Sequence, residues 1–243
     1  MLAPHFPTLR DGFTWLEQWG VTWALEPVLS SEPPPFAAEA GLVCNAVLGR
    51  RNEFAAGRRA AHAALKQLGV SPHPLMIQSG HCLAWPEGFV GSISHTRDFS
   101  TAVTAPIGLV RSLGVDLEEA TPLVDELVEL VCCPEERTFL EELSTTFVED
   151  AAKFIFSAKE AYYKAYYPLA GTFLNFSDVQ LTMRSCATEF EAIIISTRKF
   201  DPARHSLIGD GISFWAQGYI VVLYVLRNSS ANAKSRVNIN KIA

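Results

Sequence analysis

A helical stretch followed by strands occurs twice along this 243-residue chain, once on each side of about residue 112. Residues 37–68 are Ala-rich, with apolar residues at three- and four-residue spacing, and Gly69 stands where a helix C-cap falls. "LMIQSGHCLAWPEGFVGSISHT" then reads as short strands and turns, and "FSTAVTAP" as a strand. The strand "LGVDLEEA" opens the second round. Residues 122–167 are mostly helical, with a break around Ser144–Thr146. "SDVQLTMR", "FEAIIIST" and "GISFWAQGYIVVLYVL" return to strand pattern. Residues 1–36, rich in proline and aromatics, read as irregular structure with short strands, and the polar residues 228–243 as a flexible tail. This order predicts an α/β (α+β) fold in two halves, residues 1–112 and 113–227.

Bulk properties remove several classes of function. A net charge of −6 argues against nucleic acid as a partner, although a local basic pocket for a small anion remains compatible with it. The five cysteines are irregularly spaced and contain no C-x-x-C pair, which reads as a reducing compartment. No uncharged apolar run reaches the roughly 18–20 residues that a membrane helix needs, and "MLAPHFPTLRDGFTW" lacks the pattern of a signal peptide. The expectation is a cytoplasmic protein without a membrane partner.

Four short motifs carry chemistry. In "GVDLEE" the alternation of a strand puts Asp116 and Glu118 on one face. Two like charges there call for a cation between them, and hard carboxylate oxygens suit Mg²⁺; a solvated acidic strand end is the plainer alternative. In "FSAKEAYYKA" Glu160 and Lys164 stand four apart, as in a surface ion pair. The dense aromatic surroundings leave little room for a solvated face, which favours a site. "GSISHT" offers Ser92, Ser94 and His95 to an anion. A serine hydrolase built on Ser94 would need G-x-S-x-G, and the fifth position is His95. Arg50, Arg51, Arg58 and Arg59 form a basic patch on the Ala-rich helix, with Arg51 and Arg58 two turns apart, and arginine grips phosphate well.

Taken together, "AAGRRAAHAAL", "WPEGFVGSISHT", "GVDLEE" and "FSAKEAYYKAYYPLAGTFLNFSDV" resemble the 4′-phosphopantetheinyl transferases of the surfactin- and enterobactin-synthase type, the enterobactin branch most of all. The resemblance spans residues 50–180. It implies a pseudo-dimeric fold, each half a small antiparallel sheet packed with helices, acting as a monomer with coenzyme A between the halves. The implied reaction moves the phosphopantetheine arm onto a serine of an apo carrier protein and releases 3′,5′-ADP. Asp116, Glu118 and Glu160 would hold Mg²⁺ (Mn²⁺ being a substitute), Glu160 would act as general base, and Lys164 would stabilise the leaving phosphate. Arg50, Arg51, Arg58, Ser94 and His95 would hold the nucleotide end, with Lys159 at the pyrophosphate. A non-catalytic coenzyme A-binding relative is the competing reading, disfavoured because the three carboxylates and Lys164 are all present.

The carrier-docking surface of that family borders residues 118–150, where eleven acids stand against one base, Arg137. Apolar Leu123, Val124, Leu127 and Val128 would then make the contact, with a preference for less acidic peptidyl carriers. The burial of an amphipathic helix explains part of the same pattern.

Overall fold

The computed structural model describes residues 4–29, 32–78, 82–143, 151–183, 189–195 and 209–227. The expected tail at 228–243 and the break at Ser144–Thr146 lie outside them. A short strand, β1 (His5–Phe6), leads into a helix, α1 (Leu9–Leu16), in a region whose composition suggested irregular structure. The cause is local. The Thr8 hydroxyl accepts the Asp11 N–H at 3.1 Å and donates to the Asp11 carboxylate at 2.6 Å, closing the first turn. Leu9, Phe13 and Leu16 then fall on one buried face.

Strand β2 (Thr22–Pro27) follows, and the Ala-rich run divides into a short helix α2 (Ala37–Gly41) and a long one, α3 (Leu48–Gln67), separated by turns. Gly69 takes φ +75° just past the end of α3, the left-handed conformation that glycine adopts without strain. After β3 (Phe89–His95), β4 (Phe99–Pro106) and β5 (Val110–Glu119) come helices α4 (Asp125–Val131), α5 (Pro134–Leu143) and α6 (Ala151–Ala170). Helix α6 continues past Pro168, which lies in its last turn, where the missing N–H removes a single backbone bond. Strands β6 (Val179–Met183), β7 (Glu189–Ile194), β8 (Asp210–Ala216) and β9 (Tyr219–Arg227) complete the described chain.

The strands form two sheets. The smaller is antiparallel in the order β2-β4-β3; the larger runs β5-β9-β8-β7-β6, with β1 added parallel to the end of β8. Side chains join them: the Ser92 hydroxyl of β3 accepts the Val115 N–H at 3.1 Å, and the Ser94 hydroxyl accepts the Leu117 N–H at 3.2 Å. Alternation along β5 separates two cores. Leu113, Val115 and Leu117 pack with α1 and residues of both sheets, whereas Gly114 and Asp116 face α6. A Cβ at Gly114 would collide with the Ala161 carbonyl and lie 2.8 Å from the Ala165 nitrogen. Only a glycine lets α6 come this close to β5. Helix α3 covers the smaller sheet through Ala60, Ala61 and Ala64.

A buried ion pair anchors the far side of α6. The Lys159 ammonium meets the Glu136 carboxylate at 2.7 Å and donates to the carbonyls of Val131 and Phe176 at 2.8 and 3.0 Å. Glu136 in turn accepts the N–H groups of Cys133 and Leu181 at 2.9 and 2.8 Å. Every donor of the ammonium is used, so α6, α5 and β6 close around one fully satisfied node. Lys159→Met, which leaves the Glu136 charge buried and alone, is expected to lower stability by about 3–5 kcal/mol in urea unfolding. Wild-type stability in that variant would contradict the anchoring role.

Candidate functional site

Asp116 lies where β3, β5 and α6 meet and is 3% exposed. A carboxylate there remains charged only if other donors replace the water it has lost. Lys164 donates to its Oδ1 at 2.6 Å, the Ser94 hydroxyl to the same oxygen at 3.0 Å, and the Ser157 hydroxyl to Oδ2 at 2.8 Å. Ser157 and Lys164 are seven residues apart on α6, hence on one face, and both reach the strand because Gly114 admits the helix. Lys164 also donates to the Val115 carbonyl and the Ser94 hydroxyl, each at 3.1 Å.

Glu118 follows on the same face of β5, with Lys153 of α6 3.4 Å from its carboxylate. Burial pushes the Glu118 carboxyl above its usual range and the Asp116 charge adds to the shift, against Lys153. Glu160 is half-buried; burial raises its carboxyl too, Lys164 opposing and Asp116 adding. The plainer reading of Glu160 and Lys164 as a surface ion pair does not hold: Lys164 extends to Asp116 instead. Among the described residues Glu160 forms no hydrogen bond or ion pair, and no three His, Cys, Asp or Glu side chains are already gathered closely enough to hold a metal.

A cleft of about 930 Å³ between α3, β3 and the end of α6 meets this cluster at Lys164; Asp116, Glu118 and Glu160 do not line it. Its lining includes Arg50, Arg58, Gln78, His95, Tyr163 and Lys164. Arg58 is 6% exposed, its guanidinium lies 4.4 Å over the Phe54 ring, and its buried Nε has no hydrogen-bond partner among the described residues. Burial lowers its pKa, yet an arginine keeps its charge, so the group is an unsatisfied cation facing open space. Arg50 donates to His95 Nε2 at 2.6 Å and pairs with Glu53 at 3.3 Å. Burial holds the His95 imidazole below its ordinary value, with Glu53 pulling the other way, and the neutral ring accepts from Arg50.

The structure redistributes three of the residues expected to hold coenzyme A, Arg51 and Ser94 at the nucleotide end and Lys159 at the pyrophosphate. Arg51 is exposed and does not line the cleft; Arg50 does, together with Arg58. Ser94 turns to Asp116 and Lys164, because its hydroxyl belongs to the junction between the sheets. Lys159 is sealed against Glu136 with no donor left for a phosphate. Arg59 points away from the cleft, 3.8 Å from Glu26 and 3.3 Å from Glu32. Ser157 was missed, although its place three residues before Glu160 in "FSAKE" was in view.

Residues 38–105 match the family model of the 4′-phosphopantetheinyl transferase N-terminal domain, and residues 112–219 that of the 4′-phosphopantetheinyl transferase superfamily. The 4′-phosphopantetheinyl transferase Svp of Streptomyces mobaraensis is 38% identical over 161 residues, which cover 66% of this chain and 65% of that protein. The transferase PptT of Mycobacterium tuberculosis is 34% identical over 171 residues, 69% of this chain and 75% of that protein. Enterobactin synthase component D of Salmonella typhi is 36% identical over 119 residues, 48% of each chain. The chain thus spans just under two thirds of the Svp sequence and three quarters of PptT. With both family segments present in order, it belongs to the 4′-phosphopantetheinyl transferase superfamily.

Proposed function

We propose that this protein transfers the 4′-phosphopantetheine arm of coenzyme A to a serine of an apo carrier protein. The observation that carries the proposal is one cleft holding both an unsatisfied buried arginine, Arg58, and the Lys164 ammonium that reaches Asp116. The first suits a terminal phosphate, the second a reacting one. The carrier serine oxygen bonds to the β-phosphorus of the pyrophosphate while the bond from that phosphorus to 3′,5′-ADP breaks. Glu160, its carboxyl raised by burial and without a hydrogen bond among the described residues, takes the hydroxyl proton directly or through water. Lys164 stabilises the charge on the departing phosphate. Arg58, Arg50 and His95 hold the 3′-phosphate end.

The donor set fits a hard divalent cation, Mg²⁺ or Mn²⁺, in its chemistry. Asp116, Glu118 and Glu160 offer oxygen donors; burial, with the Asp116 charge added to it, pushes the other two toward protonation, and a cation would oppose that shift. Such an ion neutralises the pyrophosphate oxygens when bound. We assign the nucleotide-binding elements to residues 1–112 and the carboxylates and catalytic helix to residues 113–227, two halves of one cytoplasmic monomer. The carrier docks on α4, where Val124, Leu127 and Leu130 are exposed beside Asp125, Glu126 and Glu129. Val128 turns inward. Of the acids counted earlier in this region, Glu149 and Asp150 lie outside the described residues, as do the side chains of Glu141 and Glu142.

Intact mass spectrometry tests the reaction. A purified apo peptidyl carrier incubated with coenzyme A and the protein is expected to gain one phosphopantetheine only when Mg²⁺ or Mn²⁺ is added, and faster than a fatty-acid carrier does. No gain on either carrier with either ion would sink the proposal; equal or faster transfer to the fatty-acid carrier would sink the docking preference. Glu160→Ala is expected to cut kcat by about 10²–10⁴-fold without altering the circular dichroism spectrum, whereas wild-type turnover would remove Glu160 from the chemistry. Arg58→Ala is expected mainly to raise KM for coenzyme A, its contact being remote from the breaking bond. A loss confined to kcat would contradict that placement.

A further inference from the structure

Lys153, Ser157, Glu160 and Lys164 recur along α6 at steps of four, three and four residues, so they share one face of the helix. That face lies against β5. Ser157 and Lys164 both reach Asp116, and the Lys153 ammonium donates to the Glu118 carboxylate at 3.4 Å. Two residues of strand rise by about 6.6 Å and four of helix by about 6 Å. Lys153 therefore meets Glu118 by the same step that brings Ser157 to Asp116, and each carboxylate of the strand has its own ammonium from the helix.

Lys153 is the member of this row that the proposed chemistry leaves unused. Its side chain is 15% exposed and that of Glu118 28%. The ammonium lies 5.7 Å from the centre of the Phe156 ring, and among the described residues Glu118 is the one carboxylate it pairs with. It does not line the cleft, so its effect on the site passes through Glu118. Lys159, on another side of the same helix, has every donor bound by Glu136 and two carbonyls. Lys153 holds a single acceptor, and letting go of it breaks one hydrogen bond.

Asp116, Glu118 and Glu160 bring three negative charges to this junction, and Lys153 and Lys164 answer two of them. One excess negative charge draws a divalent cation less strongly than three bare carboxylates would. The Lys153 charge, moreover, stands beside an oxygen that the ion would use. Ammonium and metal ion compete for the same carboxylate.

We infer that Lys153 is a positioning residue that sets the affinity of these carboxylates for their divalent cation, holding Glu118 toward α6 and yielding it when the ion binds. The inference rests on the assignment of Asp116, Glu118 and Glu160 to the metal. Paired with Lys153, a half-buried Glu118 keeps its charge and its direction. The same contact weakens the hold on the ion, because two cations cannot share one carboxylate at full strength.

The test is uptake of Mn²⁺, followed by loss of the free-ion electron paramagnetic resonance signal. The full chain and coenzyme A are mixed at equal concentration without a carrier, with coenzyme A alone as the blank. Wild type, Lys153→Met, Lys153→Gln and Lys153→Arg are compared. Methionine keeps an apolar stem beside Phe156 and removes the charge, whereas arginine keeps the charge. Both neutral variants are expected to bind Mn²⁺ about five- to tenfold more tightly than the wild type, and Lys153→Arg to stay within about twofold of it. A lysine that only braced the fold would give no gain in affinity on removal. Unchanged or weaker binding in the neutral variants, or a gain in Lys153→Arg equal to theirs, would overturn the inference. Lys153→Gln keeps the test standing should the methionine variant fail to fold. No uptake of Mn²⁺ by any of the four proteins would instead overturn the metal assignment beneath it.

Discussion

The contact between Lys164 and Asp116, at 2.6 Å, is the interaction around which the rest is arranged. A carboxylate 3% exposed has to be satisfied from the protein, and each group that satisfies it fixes an element. Ser94 brings β3, Ser157 and Lys164 bring α6, and Gly114 allows the helix to approach the strand. The Ser94 hydroxyl that feeds Asp116 also stitches the two sheets, since it accepts the Leu117 N–H. The site is therefore part of the junction between the sheets, and chemistry and architecture share the same hydrogen bonds.

Helix α6 turns buried Lys159 and half-buried Lys164 to different sides. Lys159 and Lys164 are five residues apart, about 140° around the helix, and that angle separates their fates. Lys159 has all its donors taken by Glu136 and two carbonyls at 2% side-chain exposure. Lys164 also engages three acceptors, Asp116, Ser94 and the Val115 carbonyl, but at 27% exposure it lines the cleft, where an arriving group can reach it. A phosphate arriving in the cleft offers Lys164 an alternative partner, and a divalent cation offers Asp116 one. Exchange of partners between the two costs less than exposing either alone.

The sequence made some of this legible because the signals are local. Strand alternation placed Asp116 and Glu118 on one face of β5, and the structure has both turned toward α6. The position of Gly69 was readable for the same reason. Helix α1 was readable in principle from Thr8, Asp11 and the apolar spacing that follows, but its proline- and aromatic-rich surroundings obscured the cap. Lys159 was misplaced because its partner, Glu136, lies on another helix, and helical geometry cannot say which side of α6 faces a site. Arg50 against Arg51 is the same difficulty on α3. Ser157 gains its meaning from a partner 41 residues away, Asp116, and nothing in a linear pattern marks such a contact.

The most direct measurement is a crystal structure of the protein with coenzyme A and Mg²⁺. The account predicts the 3′-phosphate against Arg58 and the pyrophosphate at the carboxylates, with the Lys164 ammonium drawn from Asp116 toward phosphate oxygen. Coenzyme A bound outside this cleft, or Lys164 still closed on Asp116 with the pyrophosphate far from it, would contradict the account.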